Sequence, residues 1–497
     1  MSWARVVVGL GAMLATGALL LSGGSEADPE TPAGLPGMPP PFLGVAVLGE
    51  GRLTAAVDAY GNVVDLRAPG PAGRALIANP ADRQAAGTVP ADTGIQVWVR
   101  VRGGPALPMW RADEVRQRYL PRTNVLLTVA RFGSERVRIE EAMHGGRLAV
   151  VAGGGGADVQ LRVNAATDAV TESREVLDKA AASDRSWLQR CRPLGSGAPP
   201  WARETYERSL LVLHALTDRR IGAVAAGARD GWAYVWPRDA AAVAIALAAA
   251  GHEPEAELIV QFLLGAGIEQ AARFNGDGSP VPGRAAQGDA IGWVAAAAEA
   301  TGIVGSARQA AHILAGGRRI PWRGRPDYWE QGSGDYLGNA LASAADVSEI
   351  SRHIWGVSSD TPWGRGLVRE AGASESGLDS AAAWGVRPFP HPELYPAIRR
   401  TLNALVASGS RFGITPGEGW DGGEDPWSAP TAWSAWSLAA LGERREALRL
   451  LRALRRSATP AGMLPERIDA ETGVPRSTTP LAWSHAFAIL ALRELWP

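Results

Sequence analysis

Cysteine is nearly missing: Cys191 is the only one in 497 residues. No intramolecular disulfide can form, and no thiolate cluster can hold a metal. Lysine is as scarce. Lys179 stands alone among 50 basic residues, the other 49 being arginine, a bias we ascribe to genome composition rather than chemistry. Net charge is small, with 50 basic and 51 acidic residues giving −1, which excludes a polycationic binder of nucleic acid or membrane surface. The seven histidines contain no His-Glu-x-x-His, so zinc catalysis lacks its ligand pattern. No Gly-x-Ser-x-Gly elbow occurs, and Gly332-Ser333-Gly334 does not have that spacing. Phenylalanine and tyrosine are few, seven each, against 19 tryptophans. Core packing alone rarely favours Trp over Phe, whereas flat sugar rings stack well on indole faces, so a carbohydrate ligand is implied.

What remains is an ordinary globular composition, 46% hydrophobic and 20% charged. At about 150 residues per domain the length suggests two or three folding units. The N-terminus reads as an export segment. Arg5 precedes an apolar run from Val6 to about Ser22, and Ser25-Glu26-Ala27 fits a small-x-small cleavage site. The run approaches the length needed to span a bilayer, so an uncleaved anchor is the competing reading. Residues 28–42, rich in proline, follow as a semi-rigid linker.

From 43 to 165 the pattern has period two. Ile95–Arg102 alternates apolar with mostly polar residues, and Arg52–Val57 and Val63–Leu66 flank a hairpin-like turn at Asp58–Asn62. Val125–Ala130, Arg136–Glu140, Leu148–Val151 and Val159–Val163 are further strand candidates. Short strands separated by turns predict an antiparallel β-sandwich. Gly153–Gly156 precedes no helix with a phosphate-binding Lys and reads as a flexible turn. Residues 166–200 read as a linker.

From 201 to 497 apolar residues recur at helical spacing. The segments are Trp201–Thr217, Arg238–Ala250, Glu255–Leu264, Gln287–Ala300, Ser306–Leu314, Tyr336–Ala345, Leu394–Val406, Thr431–Leu441, Glu443–Leu454 and Ala482–Leu492. Val347–Trp355 and Ser374–Ala383 would supply two more. About twelve helices joined by short loops can close into an (α/α)6 barrel, a six-hairpin toroid with its loops around one funnel. An open solenoid is the alternative, but no fixed-period repeat is visible.

Three loops carry the chemistry. In Trp232-Ala233-Tyr234-Val235-Trp236-Pro237-Arg238-Asp239, Pro237 and Asp239 suit a helix start. The aromatics beside an Arg-Asp pair suit a sugar, whose faces they cover while the charges hold its hydroxyls. In Asp327-Tyr328-Trp329-Glu330, a carboxylate next to Trp is poorly solvated and can remain a proton donor near neutral pH. Taken alone, it reads as an ordinary surface Glu beside a packing Trp. Glu466, in Leu464-Pro465-Glu466-Arg467, precedes the last helix, and a toroid would return it to the funnel mouth. Asn275-Gly276-Asp277-Gly278 lacks full calcium-loop spacing and reads as a turn. His485 reads as a packing or hydrogen-bonding residue of that last helix.

Together these segments resemble the glucoamylase-like glycoside hydrolases of family 15, in which a β-sandwich precedes an (α/α)6 catalytic barrel. The resemblance runs from about Leu43 to the C-terminus. It rests on Tyr234-Val235-Trp236-Pro237-Arg238-Asp239, then on Leu464-Pro465-Glu466 and Leu481-Ala482-Trp483-Ser484-His485, and less specifically on Trp329-Glu330. It implies an exported, monomeric, exo-acting hydrolase of an α-glucan or α-glucoside, with no cofactor, metal or nucleic acid. Arg238 and Asp239 would hold the non-reducing-end sugar, with Tyr234, Trp236, Trp329, Trp232 and Trp427 around it. Glu330 would be the general acid, kept protonated by apolar surroundings. Glu466 would be the base, kept ionised by hydrogen bonds or positive charge, with inversion at the anomeric carbon. The chain departs from the family pattern at Trp232, where Tyr is common, and at Arg467, where Gln is common. A third departure is Gly413-Ile414-Thr415-Pro416, which replaces a Gly-Arg-Tyr-Pro loop. Both domains also look short. Glu418, Trp420, Asp421, Glu424 and Trp427 could build a different outer subsite. A carbohydrate-binding protein that has lost hydrolysis, a trehalose- or isomaltosaccharide-specific hydrolase, and a lyase or phosphorylase on a similar toroid stay open.

Overall fold

The computed structural model describes residues 34–78, 94–164, 168–229, 231–304, 323–343, 358–361 and 364–497. The expected export segment, 1–27, and the helices expected over 306–314 and 347–355 lie outside the described residues. Among the described residues no helix is long and apolar enough to cross a membrane.

The N-terminal half consists of β1 (Gly44–Gly49), β2 (Thr54–Asp58), β3 (Val63–Ala68), β4 (Arg74–Ile77), β5 (Gly94–Val101) and β6 (Ala106–Pro108). It continues through β7 (Glu114–Tyr119), β8 (Leu126–Phe132), β9 (Glu135–His144), β10 (Arg147–Gly154), β11 (Ala157–Asn164) and β12 (Val170–Thr171). One sheet has the order β1-β2-β3-β5-β11, with β4 on β3 and β6 on β5; the other has the order β12-β10-β9-β8-β7. The alternation of β5 sends Ile95, Val97 and Val99 into the core shared with Leu126, Ile139 and Leu148 of the second sheet. The expected turn after β2 is built by Asp58, whose carboxylate accepts from Tyr60 N and Asn62 N at 2.9 Å each. Gly155-Gly156 forms the turn where the chain leaves β10 of one sheet for β11 of the other.

Two expectations need correction. The stretch 166–200 is not plain linker: it holds α1 (Arg174–Gln189), which packs on β9 and presents Asp184 Oδ2 to Asn124 N at 2.6 Å. The expected helix Ser374–Ala383 is instead the last strand of an inserted meander. That meander consists of β13 (Ser358–Thr361), β14 (Gly364–Glu370) and β15 (Ala373–Leu378), and a 3-10 helix, Ser380–Gly385, follows it.

The helices are α2 (Pro200–Ala215), α3 (Pro237–Ala249), α4 (Glu253–Gly265), α5 (Ala290–Ala300) and α6 (Leu337–Ala342). After the meander come α7 (Tyr395–Ser408), α8 (Ser428–Ala440), α9 (Arg444–Ser457) and α10 (Ala482–Leu495). The packing closes on itself. α3 touches α5, α5 touches α6, α6 touches the 3-10 helix, that helix touches α8, α8 touches α10, and α10 returns to α3. Against the outside of this ring lie α4 on α3, α7 on the 3-10 helix, α9 on α8 and α2 on α10.

Composition explains the ring. The inner helices are alanine-rich and buried almost throughout, as in AIGWVAAAAEA of α5, because alanine combines high helix propensity with close backbone approach. A Cβ at Gly292 would lie 1.7 Å from Ala342 O, which measures how close α5 and α6 come. Large rings fill the space left inside. Trp293, Trp384 and Trp433 are fully buried, with centroids 5.2 and 5.4 Å apart along the series, and Trp433 lies 5.2 Å from Trp483. The tryptophan excess is therefore partly architectural, contrary to the reading of it as sugar-binding surface alone. Outer α9 is oppositely patterned, burying Leu450, Leu451 and Leu454 while its arginines face outward.

Candidate active site

The loop before α6 presents Glu330 because its neighbours are anchored inward. Asp327 is fully buried and accepts from Arg369 Nε and Nη2, both at 2.9 Å. Arg369, on β14, also lies 4.1 Å above the Trp329 ring. Tyr328 donates its hydroxyl to Asp379 Oδ1 at 2.7 Å. With 327 and 328 fixed, the chain turns at Glu330 with φ +57°, a conformation that non-glycine residues adopt rarely and that clusters at functional sites. Glu330 Oε1 accepts from Trp236 Nε1 and from Gln287 Nε2, each at 2.9 Å, and Oε2 pairs with Arg284. The expected apolar surrounding is thus replaced by three donors, one of them cationic, which suit the ionised carboxylate.

Glu466 is set by the opposite end of the ring. In α10, His485 accepts from Leu464 N at 3.0 Å through Nε2 and meets Ser209 Oγ at 2.9 Å through Nδ1. Burial pushes this imidazole down to about 3, so it stays neutral and acts as a structural clamp. Glu466 N donates to Thr478 O at 2.9 Å, and Ser428 N donates to Glu466 O at 3.1 Å. The carboxylate accepts from Trp232 Nε1 at 3.2 Å and from Ser477 Oγ. Burial raises its pKa above the ordinary Glu value despite those two bonds and the charges of Arg467 and Arg229. Arg467 lies 3.7 Å from Asp425, so its charge is shared with a second carboxylate.

Arg238 and Asp239 open α3 at the buried floor. Arg238 is 3% exposed and donates Nη1 to Gln287 Oε1 at 2.6 Å and to Asp289 Oδ2 at 2.9 Å. Its guanidinium stands 4.6 Å from the Trp483 ring. Gln287 therefore bridges Arg238 to Glu330. Asp239 is pushed up to about 7, chiefly by burial, with Asp289 and Glu466 adding to it and Arg238 opposing. Asp239 Oδ2, Asp289 Oδ1 and Arg238 Nε are buried without a hydrogen-bond partner among the described residues. Such groups are costly unless something pairs with them.

Aromatics line the rest. Tyr234 and Trp236 stand edge to face at 6.3 Å, and Trp329, Trp420 and Trp427 form a series with 5.2 Å spacings. The indole N–H groups of Trp329, Trp420, Trp427 and Trp483 are buried without hydrogen-bond partners among the described residues. Of the residues expected to build a different outer subsite, Trp420 and Trp427 join this wall. Asp421 accepts from Gln331 Nε2 at 2.8 Å, and Glu418 instead accepts from Leu378 N at 3.0 Å as a support for the meander. Sequence reasoning missed Arg284, Gln287, Asp289 and Ser477. The signal for two of them was Gln287-Gly288-Asp289, two polar residues about a glycine directly ahead of an apolar helix, much as Arg238-Asp239 stand in the first turn of apolar α3. Among the described residues no group of His, Cys, Asp and Glu has metal-holding geometry, and Asp277 accepts from Ser279 N at 2.9 Å within a turn.

No protein-family model matches this sequence, and no curated protein matches it either. Solved structures do. A bacterial glucoamylase in complex with acarbose superposes with a TM-score of 0.71 at 13% identity, covering 96% of this chain and 96% of that one. A wild-type glycosidase superposes at 0.50 with 20% identity, covering 63% of this chain and 98% of that one. A glycosidase in complex with glucose gives the same TM-score, 0.50, at the same 20% identity. The chain has a glucoamylase-like fold.

Proposed function

We propose that this chain is an inverting, exo-acting glycoside hydrolase that releases glucose from the non-reducing end of α-glucosides. The ring and its outer helices are then an (α/α)6 barrel carrying the catalytic site, the β-sheets a preceding sandwich, and the N-terminal segment an export signal of a secreted monomer. One observation supports the reading above others. Trp232 and Trp236, in a single loop, hold one carboxylate each, Glu466 and Glu330, and Trp236 leads directly into the Arg238-Asp239 ion pair, whose Arg238 Nε and Asp239 Oδ2 still lack hydrogen-bond partners among the described residues.

In this reading, sugar hydroxyls satisfy Asp239 Oδ2 and Arg238 Nε, and indole faces cover the ring. Glu330, once protonated, gives its proton to the glycosidic oxygen as the C–O bond breaks. Glu466 takes a proton from a water attacking the other face of the anomeric carbon. Trp232 orients the carboxylate of Glu466 as a donor, since an indole N–H cannot accept from the water. Retention of both carboxylates with their donors argues against a binding-only protein. The test is incubation with maltose, isomaltose and trehalose while the product anomer is followed by NMR. Initial β-glucose, lost in Glu330→Gln and Glu466→Gln, is expected. Release of no β-glucose beyond that of the leaving sugar (which is α-glucose from trehalose and an anomeric mixture from maltose and isomaltose), or variants as fast as the parent, would overturn the assignment.

A further inference from the structure

Two arginines at the open side of this site have no role in the mechanism above. Arg284 is about half exposed (48% of its side chain), and its one carboxylate partner among the described residues is Glu330. Arg273 lies over the rings of Tyr234 and Trp236, at 4.7 and 5.7 Å, and donates Nη1 to Gly231 O at 3.3 Å. Its Nε is buried without a hydrogen-bond partner, and no carboxylate among the described residues lies in ion-pair range of it. Burial disfavours the charge of both guanidinium groups, and at Arg284 the neighbouring charge of Arg273 adds to that cost. Arg284 also borders an open groove of about 440 Å³ between Gln270-Ala271 and Pro280–Ala285.

The general acid sits on the leaving-group side of the scissile bond, and Arg238, at 4% side-chain exposure, marks the closed, sugar-holding end. Arg284 and its groove therefore belong to the leaving group. The chemistry also needs a counter-ion there. Glu330 must bind a proton before it can donate one, and on doing so it stops neutralising Arg284. The charge of Glu466 still favours that of Arg284 from a distance, but neither arginine then has a carboxylate in ion-pair range among the described residues. Resting on the hydrolase reading, we propose that Arg273 and Arg284 recognise an acidic leaving group, a carboxylate or phosphate carried by the aglycone. Its anion replaces Glu330 as the partner of Arg284 and leaves Glu330 free to hold the proton. Charge-assisted, bidentate recognition of this kind is what guanidinium groups do best.

The probes are three aryl α-glucosides of one shape: 4-carboxyphenyl, 4-phosphonophenyl and the neutral 4-carbamoylphenyl. Their non-hydrolysable thioglycosides serve for calorimetric binding. The expected result is at least about tenfold higher kcat/KM and tighter binding for an acidic probe than for the carbamoyl isostere. The advantage should shrink with added salt and vanish in an Arg273→Gln, Arg284→Gln double variant. The carboxylate and phosphonate arms identify which acid fits. Equal binding of the acidic and neutral thioglycosides, or a preference that survives in the double variant, overturns the proposal. If maltose is hydrolysed without any acidic preference, only this inference fails. If acidic thioglycosides bind preferentially while no glucoside is hydrolysed, the anion site stands and the hydrolase reading fails.

Discussion

Trp232 Nε1 lies 3.2 Å from Glu466 Oε1, so a residue with no acceptor stands beside the proposed base as one of its two side-chain donors. Burial raises the pKa of this carboxyl and the Trp232 bond opposes the rise. A base must be ionised, so activity falls as pH drops through its pKa. Trp232→Phe removes the donor and keeps the ring. The acidic limb of the kcat/KM profile should then move to higher pH, by about 0.7 to 1.1 units, given about 1–1.5 kcal/mol for such a bond. An unmoved limb would show that Glu466 is not the titrating base.

Asp239 makes stability, as well as activity, depend on pH. Its folded pKa, about 7, exceeds the unfolded value of about 3.9. The folded state thus binds the proton more tightly. The resulting stabilisation is complete below about pH 4 and lost as pH rises to about 7, roughly 4 kcal/mol over the window. Asp239→Asn does not titrate. Urea denaturation should show the parent losing stability relative to this variant between about pH 4 and about pH 8. A pH-independent difference would show that Asp239 is ionised throughout.

The antiparallel sheets and the helical part were legible because their signals are local. Period-two runs such as Ile95–Arg102 and apolar helices such as 482–492 fall on β5 and α10. The meander β13–β15 was not, because its middle strand is held by long-range contacts: Leu367 N donates to Thr401 Oγ1 at 2.8 Å on α7, and Arg369 reaches Asp327. Side-chain meaning was legible by motif only. Trp232 and Trp236 donate to the two candidate carboxylates, whereas Trp293, Trp384 and Trp433 pack the axis. Composition cannot separate the two, since an indole looks the same in both uses. Arg284 carries no sequence signature, because its pairing with Glu330 arises from tertiary contact between two loops.

Ring closure can be tested at Gly292. A methyl group there meets Ala342 O and the backbone behind it rather than a flexible side chain, so α5 and α6 must separate. Gly292→Ala should destabilise by at least about 1–3 kcal/mol despite alanine's better helix propensity, which alone would stabilise by about 1 kcal/mol. An unchanged or raised Tm would mean that the two helices do not touch as described.

Proton donation by Glu330 is separable from simple binding. A general acid matters in proportion to how badly the leaving group needs a proton. Glu330→Gln keeps an acceptor oxygen for Trp236 and Gln287 but has no transferable proton, and it loses the charge that Arg284 pairs with. For maltose, whose leaving sugar is a poor alkoxide, kcat should fall by about 10²–10⁴. For α-glucosyl fluoride, which departs with little proton assistance, the loss should stay within about tenfold. The two ratios are measured on one protein with one sugar in the buried subsite, so a folding or binding defect lowers both alike. A similar fall for both substrates would therefore remove Glu330 from the role of acid, and a fall confined to maltose would assign it.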